Sequence, residues 1–243
     1  IVTTADYDAQ GNPVRRFRQN PETDYQPWEE RYAYNTFGQI TAITNAPDGN
    51  GYRRVDTCTY YGSGPQTGYP QSIAIDEQGV HLTSSYEYDV RGNLTRFTDA
   101  RGNDTTFIYN ALDQLVHAET PPNTAYPFIN WDVNLSYDEN NNLVRCDEGN
   151  RDAAGVINST NPVISTQFTY DMLDRMTGCC RDKNGNLVLR CTEVQYDANN
   201  NVVLFRSGEA VNGNDPNAVV QFLYDERGLP FQSVAAPGTG LGA

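Results

Sequence analysis

The sequence predicts an all-β fold of repeated antiparallel β-hairpins forming one long curved or spiralling sheet, and three observations predict it. A tyrosine recurs at Tyr7, Tyr34, Tyr88, Tyr109, Tyr137, Tyr170, Tyr196 and Tyr224. Four positions later stands Gly, Asn or Asp in every copy: Gly11, Gly38, Gly92, Asp113, Asn141, Asp174, Asn200 and Gly228. The positions two before and six after the tyrosine are apolar or aromatic throughout, as in Tyr86 and Leu94, Leu135 and Leu143, or Phe168 and Met176. Self-similarity of this kind marks a repeat architecture, and a two-residue period on either side of a turn marks strands.

Counting from the tyrosine as position 0, positions −2 and 0 share one face of an extended strand, because side chains alternate. Position +1 is always Asp or Asn: Asp8, Asn35, Asp89, Asn110, Asp138, Asp171, Asp197 and Asp225. Both residues favour the start of a type I turn, where the side chain bonds its own backbone. Position +4 then falls at the left-handed residue of a G1 bulge, which suits Gly, Asn and Asp. In that register Tyr88 faces Leu94, Tyr109 faces Leu115 and Tyr137 faces Leu143. Each such cross-strand pair contributes roughly 0.2–1 kcal/mol. Position +8 should share the tyrosine face, yet it holds Arg15, Arg96 and Arg145 beside Ala42 and Leu204. These arginines are expected to reach out past the rim of the sheet.

Successive copies lie 21 to 33 residues apart, apart from one long gap between Tyr34 and Tyr88, which leaves no room for a substantial helix. Tyr61 at the midpoint of that gap marks a ninth, divergent copy within 42–72. Further turns of the form Asp-x-x-Gly, at Asp76–Gly79, Asp99–Gly102 and Asp182–Gly185, join the hairpins into a meander. Longer connections are expected at Asn20–Glu30 and Pro121–Pro127, with polar surface insertions at 148–162 and 207–217 and a flexible tail at 237–243. No break in composition divides the chain, so 1–243 reads as a single array, and both ends read as cuts through a longer one.

A net charge of −14 and a pI near 4.4 disfavour nucleic acid and anionic membrane surfaces as partners. No apolar run is long enough for a membrane-spanning helix. The five cysteines show no Cys-x-x-Cys spacing. The Asp182–Gly185 turn would set Cys191 opposite Thr177 rather than Cys180, so buried or idle thiols are expected instead of a disulfide. The two histidines, His81 and His117, accompany no Gly-x-Ser-x-Gly motif and no zinc-ligand spacing. Carboxylates are numerous enough for glycoside hydrolysis, but their positions are turn positions. Asp138, Asn140 and Asn142, like Asp197, Asn199 and Asn201, imitate the start of an EF-hand loop without its Gly or its acidic twelfth ligand. The glycosylation triplets at Asn93, Asn103, Asn134 and Asn158 fit the general abundance of asparagine. No catalytic, cofactor or metal residue is therefore assigned.

The run Tyr88, Asp89, Gly92, Asn93, Leu94, followed by Asp99, Arg101, Gly102, Asn103 and by Tyr109, Asn110, Asp113, Leu115, resembles the Rhs or YD-repeat family. That family includes bacterial polymorphic toxins, the cocoon components of insecticidal toxin complexes and the teneurin receptors. The resemblance covers nearly the whole chain and is weakest at 42–72 and in the two insertions. It implies a β-sheet that spirals into a hollow shell, often around a toxin domain, and a secreted or cell-surface location. Toxin-bearing members end their shell in a self-cleaving Asp-Pro-x-Gly region. Here Asp215 and Pro216 are followed by Asn217 and Ala218, so cleavage and cargo are expected outside this chain.

Two functions from different classes follow. The first is a non-catalytic segment of a shell whose partners are the rest of that shell and an enclosed cargo. The alternative is an extracellular adhesion module that recognises glycans or a partner protein through its insertions. A third class, a hydrolase, would need a coherent His, Asp and nucleophile constellation, and the sequence shows none. Exposed strand edges at either end are further expected to promote self-association.

Overall fold

A computed structural model of the chain describes residues 2–19, 28–122, 131–152, 154–182, 189–213 and 215–236. The tail at 237–243, most of the Asn20–Glu30 connection, the later part of the Pro121–Pro127 loop and the Asp182–Gly185 turn beyond Asp182 lie outside the described residues. The protein is nearly all-β. Two compact units, residues 1–107 and 108–243, each form an antiparallel meander in which every strand pairs with its sequence neighbour.

The first unit holds β1 (Val2–Tyr7), β2 (Pro13–Gln19), β3 (Trp28–Tyr34), β4 (Ile40–Thr44), β5 (Val55–Tyr60), β6 (Pro70–Ile75), β7 (Leu82–Tyr88), β8 (Leu94–Thr98) and the start of β9 (Asp104–Tyr109). The second holds β10 (Leu115–Thr120), β11 (Trp131–Tyr137), β12 (Leu143–Gly149), β13 (Val163–Tyr170), β14 (Met176–Asp182), β15 (Leu189–Tyr196), β16 (Val202–Arg206), β17 (Val219–Tyr224) and β18 (Pro230–Ala235). Two different registers alternate, each fixed by its own turn chemistry.

Within a hairpin the tyrosine faces position +6: Tyr7 opposite Pro13, Tyr34 opposite Ile40, Tyr88 opposite Leu94, Tyr137 opposite Leu143 and Tyr170 opposite Met176. The next rung then jumps, because position −1 faces +8 and leaves +7 as an extra bulged residue. Thus Asp6 faces Arg15, Glu87 faces Arg96 and Ser136 faces Arg145. Strict alternation fails at this bulge, which moves the arginine column to the face opposite the tyrosines. The arginines do not reach past the rim: Arg15 bonds Asp6 at 3.4 Å and Arg96 bonds Glu87 at 3.3 Å. Between hairpins, position +8 faces −3 of the following copy, as in Arg15 with Arg31, Ala42 with Thr57, Arg145 with Gln167 and Leu204 with Gln221.

The divergent copy is built around Tyr60, not Tyr61. Tyr60 faces Pro70 across the same bulge, and Tyr61 takes the place of the turn Asp. Its amide bonds Tyr69 O at 3.0 Å and its carbonyl accepts from Gly68 at 2.9 Å, so four extra residues lengthen the loop while Gly68, φ 86°, keeps the left-handed position. The insertion at 148–162 also departs from a plain loop. Residues 148 and 149 continue β12, and Asp152 and Gly155 form one more turn of the repeat type, with Gly155 N bonded to Asp152 O at 2.9 Å. In 207–217 the chain makes α1 (Gly208–Gly213), which lays Ala210, 1% exposed, against the sheet.

Cys180 and Cys191 form a disulfide, contrary to the expected idle thiols. The sequence rule started the turn too early. Asp182 is still part of β14 and faces Leu189, so Cys180 comes opposite Cys191 and Gly178 opposite Glu193. Strand β16 ends at Arg206, and the Asn212 side chain of α1 accepts the Cys191 N–H at 2.8 Å. Reduction is expected to lower the unfolding free energy by about 2–3 kcal/mol, from the entropy of an eleven-residue loop in the unfolded chain. Denaturant unfolding with and without reductant measures this, and coincident curves would mean the bridge adds nothing.

No large side chain among the described residues is fully buried. Each hairpin therefore depends on its neighbours rather than on a shared core, as in other repeat proteins.

Candidate functional site

The functional feature that the fold builds is the row of turns, and three sets of bonds hold it. The first lies inside each turn. The carboxylate of Asp8 accepts from the backbone N–H of Gln10 at 3.0 Å and of Asn12 at 2.8 Å, and from the Asn12 amide at 3.0 Å. Asp89, Asp138 and Asp197 repeat this set with Asn93, Asn142 and Asn201. In the eight regular copies the chemistry of +1 and +5 is matched, with Asp225 and Leu229 as the exception. Elsewhere an Asp at +1 goes with Asn at +5 or with the cation Arg175, whose Nε donates to Asp171 at 2.7 Å. Where +1 is Asn, +5 is Gln, and the Asn amide donates instead: Asn35 to Gln39 at 2.9 Å and Asn110 to Gln114 at 2.6 Å.

All eight residues at +4 have positive φ: Gly11 86°, Gly38 77°, Gly92 94°, Asp113 60°, Asn141 69°, Asp174 59°, Asn200 67° and Gly228 74°. Each closes a turn by donating its N–H to the +1 carbonyl, at 2.9–3.3 Å across the set that includes Gly102 on Asp99.

These bonds depress the turn carboxyls. Asn12 holds Asp8 below the usual range, Arg175 does so for Asp171, Asn201 for Asp197, and the backbone amides of Asn142 and Leu229 for Asp138 and Asp225. At Asp89 and Asp99 burial works against ionisation, and the bonds from Asn93 and Asn103 outweigh it. Carboxyls depressed on folding stabilise the protein above their unfolded pKa of about 3.9, and that contribution is lost as pH falls through the lower folded values. Melting temperature is therefore expected to hold from pH 7 to about 4.5 and fall steeply below about 4. A thermal melt series from pH 7 to 2 reads this, and an acid-insensitive melting temperature would contradict it.

The second set joins successive copies. The hydroxyl of the tyrosine donates to the carbonyl at +6 of the preceding copy: Tyr34 to Pro13, Tyr60 to Ile40, Tyr137 to Leu115, Tyr170 to Leu143, Tyr196 to Met176 and Tyr224 to Val202, all at 2.8–2.9 Å. Burial raises the phenols of Tyr88 and Tyr170 and pushes Tyr60 up to about 12, so Tyr60 and Tyr170 remain protonated donors. In the first unit Tyr88 packs between Tyr61 and Tyr69, with ring centroids 6.2 and 5.1 Å away.

The third set links turn to turn. The side chain at +5 reaches the residue at +4 of the next copy: Gln114 to Asn141 at 2.9 Å, Asn142 to Asp174 at 2.8 Å and Arg175 to Asn200 at 2.9 Å. In the first unit Gln39 donates to the Gly68 carbonyl at 2.7 Å. The choice among Gly, Asn and Asp at +4 thus carries a second meaning beyond φ. No single-residue pattern in the sequence signals it, because the partner lies a whole repeat away.

The remaining candidates take ordinary places. His81 lies beside Glu77 and Thr83, and His117 Nδ1 lies 2.9 Å from Asn134 on the polar face. Among the described residues no three His, Cys, Asp or Glu side chains gather as metal ligands, and no helix is long and apolar enough to cross a membrane. At Asp138 and Asp197, where the sequence imitates a calcium loop, the carboxylate oxygens accept from the amides of their own turns.

Residues 76–125 match the RHS repeat family model. No curated protein matches the chain. Among solved structures, the chain is similar in fold to the one described as "Crystal Structure of TcdB2-TccC3-Cdc42", with a TM-score of 0.63 at 15% identity over 96% of this chain and 12% of that one. "Crystal Structure of TcdB2-TccC3" gives the same values, and "Crystal Structure of TcdB2-TccC3-TEV" gives a TM-score of 0.62. The chain thus spans 12% of the length of these structures. Residues 76–125 thus carry an RHS repeat, flanked on both sides by copies of the same tyrosine-and-turn module.

Proposed function

We propose that the chain is a non-catalytic segment of an Rhs/YD-repeat shell that encloses or presents a toxin or other cargo. The observation that carries this is the tyrosine ladder, in which six repeat tyrosines each donate to the +6 carbonyl of the copy before. Such a module extends by addition and suits a wall. The aspartates at +1 are engaged by the amides of their own turns. The disulfide between Cys180 and Cys191 supports an oxidising, extracellular setting, and the partners are the remainder of the shell and its contents.

The adhesion alternative relies on displayed loops, and both insertions are tied down instead. Arg151 bonds Asp132 at 2.7 Å, and α1 is held through Asn212 and Ala210. Limited proteolysis of the full parent protein tests the proposal. A segment that resists protease until the shell is opened by denaturant supports enclosure. Equal cleavage of every segment in the native state, with the sheet intact, would refute it.

A further inference from the structure

The first and last described strands carry complementary halves of the contacts that join one repeat to the next. On β1, Tyr7 is 64% exposed and its hydroxyl bonds nothing among the described residues; six other repeat tyrosines donate to a +6 carbonyl, while Tyr88, which follows the lengthened copy, packs between Tyr61 and Tyr69 instead. On β18, the +6 residue is Pro230, and no tyrosine among the described residues donates to its carbonyl. The turns match as well. A Cβ added to Gly38, Gly68 or Gly228 would meet the +5 side chain of the preceding copy at 3.6–3.9 Å, whereas one added to Gly11 would meet nothing within 4 Å. The last +5 residue is Leu229, 53% exposed, followed by Phe231 at 65%. An apolar +5 side chain suits a glycine at +4, which offers no polar atom beyond its backbone.

We propose that β18 of one copy docks on β1 of a second copy, head to tail, in the same register that joins the hairpins within the chain. Every inter-hairpin pair sets +8, or its counterpart Ser72 in the lengthened copy, opposite −3. That rule places Gln232 opposite Thr4 of the second copy, with Ser233 opposite its Thr3. Tyr7 of the second copy then donates to the Pro230 carbonyl, and Leu229 covers its Gly11. The contact is heterologous, so it propagates copy to copy rather than closing as a two-fold dimer. The charge of −14 opposes it, so screening by salt favours it.

Sedimentation of the whole chain at raised ionic strength, together with cysteine cross-linking, tests this. A mixture of Gln232→Cys and Thr4→Cys proteins is expected to cross-link under mild oxidation well above either variant alone and above Gln232→Cys mixed with Asp6→Cys. Tyr7→Phe, which keeps the ring, is expected to weaken association about fivefold, the effect of one net hydrogen bond. Cross-linking of one variant with itself at the mixed level, preference for the Asp6→Cys pairing, or a monomer at every salt and protein concentration would each overturn the proposal.

Discussion

Gly92→Val is expected to lower the unfolding free energy by about 2–5 kcal/mol, while Val90→Ala in the same turn stays within about 0.5 kcal/mol. Gly92 has φ 94°, where a β-branched residue is strained. An added Cβ would also stand 2.5 Å from the Tyr69 hydroxyl, and Tyr69 is held against the Tyr88 ring. Val90 is 74% exposed at the tip of the turn. Gly92→Asn separates the two causes, because Asn accepts the backbone angle but not the lack of space. Denaturant unfolding of the three variants is the check, and equal stabilities of Gly92→Val and Val90→Ala would remove the left-handed turn from the account.

Tyr170→Ala is expected to cost about 2–4 kcal/mol and Tyr170→Phe about 1 kcal/mol. The first loses a half-buried ring that pairs with Met176; the second loses only the hydroxyl bond to Leu143 O at 2.9 Å. Tyr7→Phe serves as the internal control. Its hydroxyl has no acceptor among the described residues, so at concentrations where the protein is dispersed the change should be neutral within about 0.5 kcal/mol. If Tyr170→Phe and Tyr7→Phe behave alike, the hydroxyl ladder contributes nothing measurable.

Local chemistry made much of the fold legible in the sequence. The antiparallel hairpin fold, and the facing of Tyr88 with Leu94 and Tyr137 with Leu143, follow from side-chain alternation and turn preference alone. What the sequence concealed depends on counts along the chain that a single residue shifts. The bulge at +7 reverses the parity of everything beyond it, which moved Arg15 and Arg96 to the polar face. Four added loop residues hid Tyr60 behind Tyr61. A strand that outlasts its Asp-x-x-Gly signal brought Cys180 opposite Cys191. The turn-to-turn contacts were hidden for a different reason. Gln114 and Asn141, or Asn142 and Asp174, are far apart in sequence and become neighbours only once both registers are set.

Removing the last hairpin, residues 219–236, and following unfolding by far-UV circular dichroism tests the nearest-neighbour array most directly. An array without a common core is expected to keep the β signal of the other strands and to lose stability by a modest step, with a proportionate fall in the dependence on denaturant. Collapse of the whole chain to an unfolded or molten state after loss of that one hairpin would contradict it.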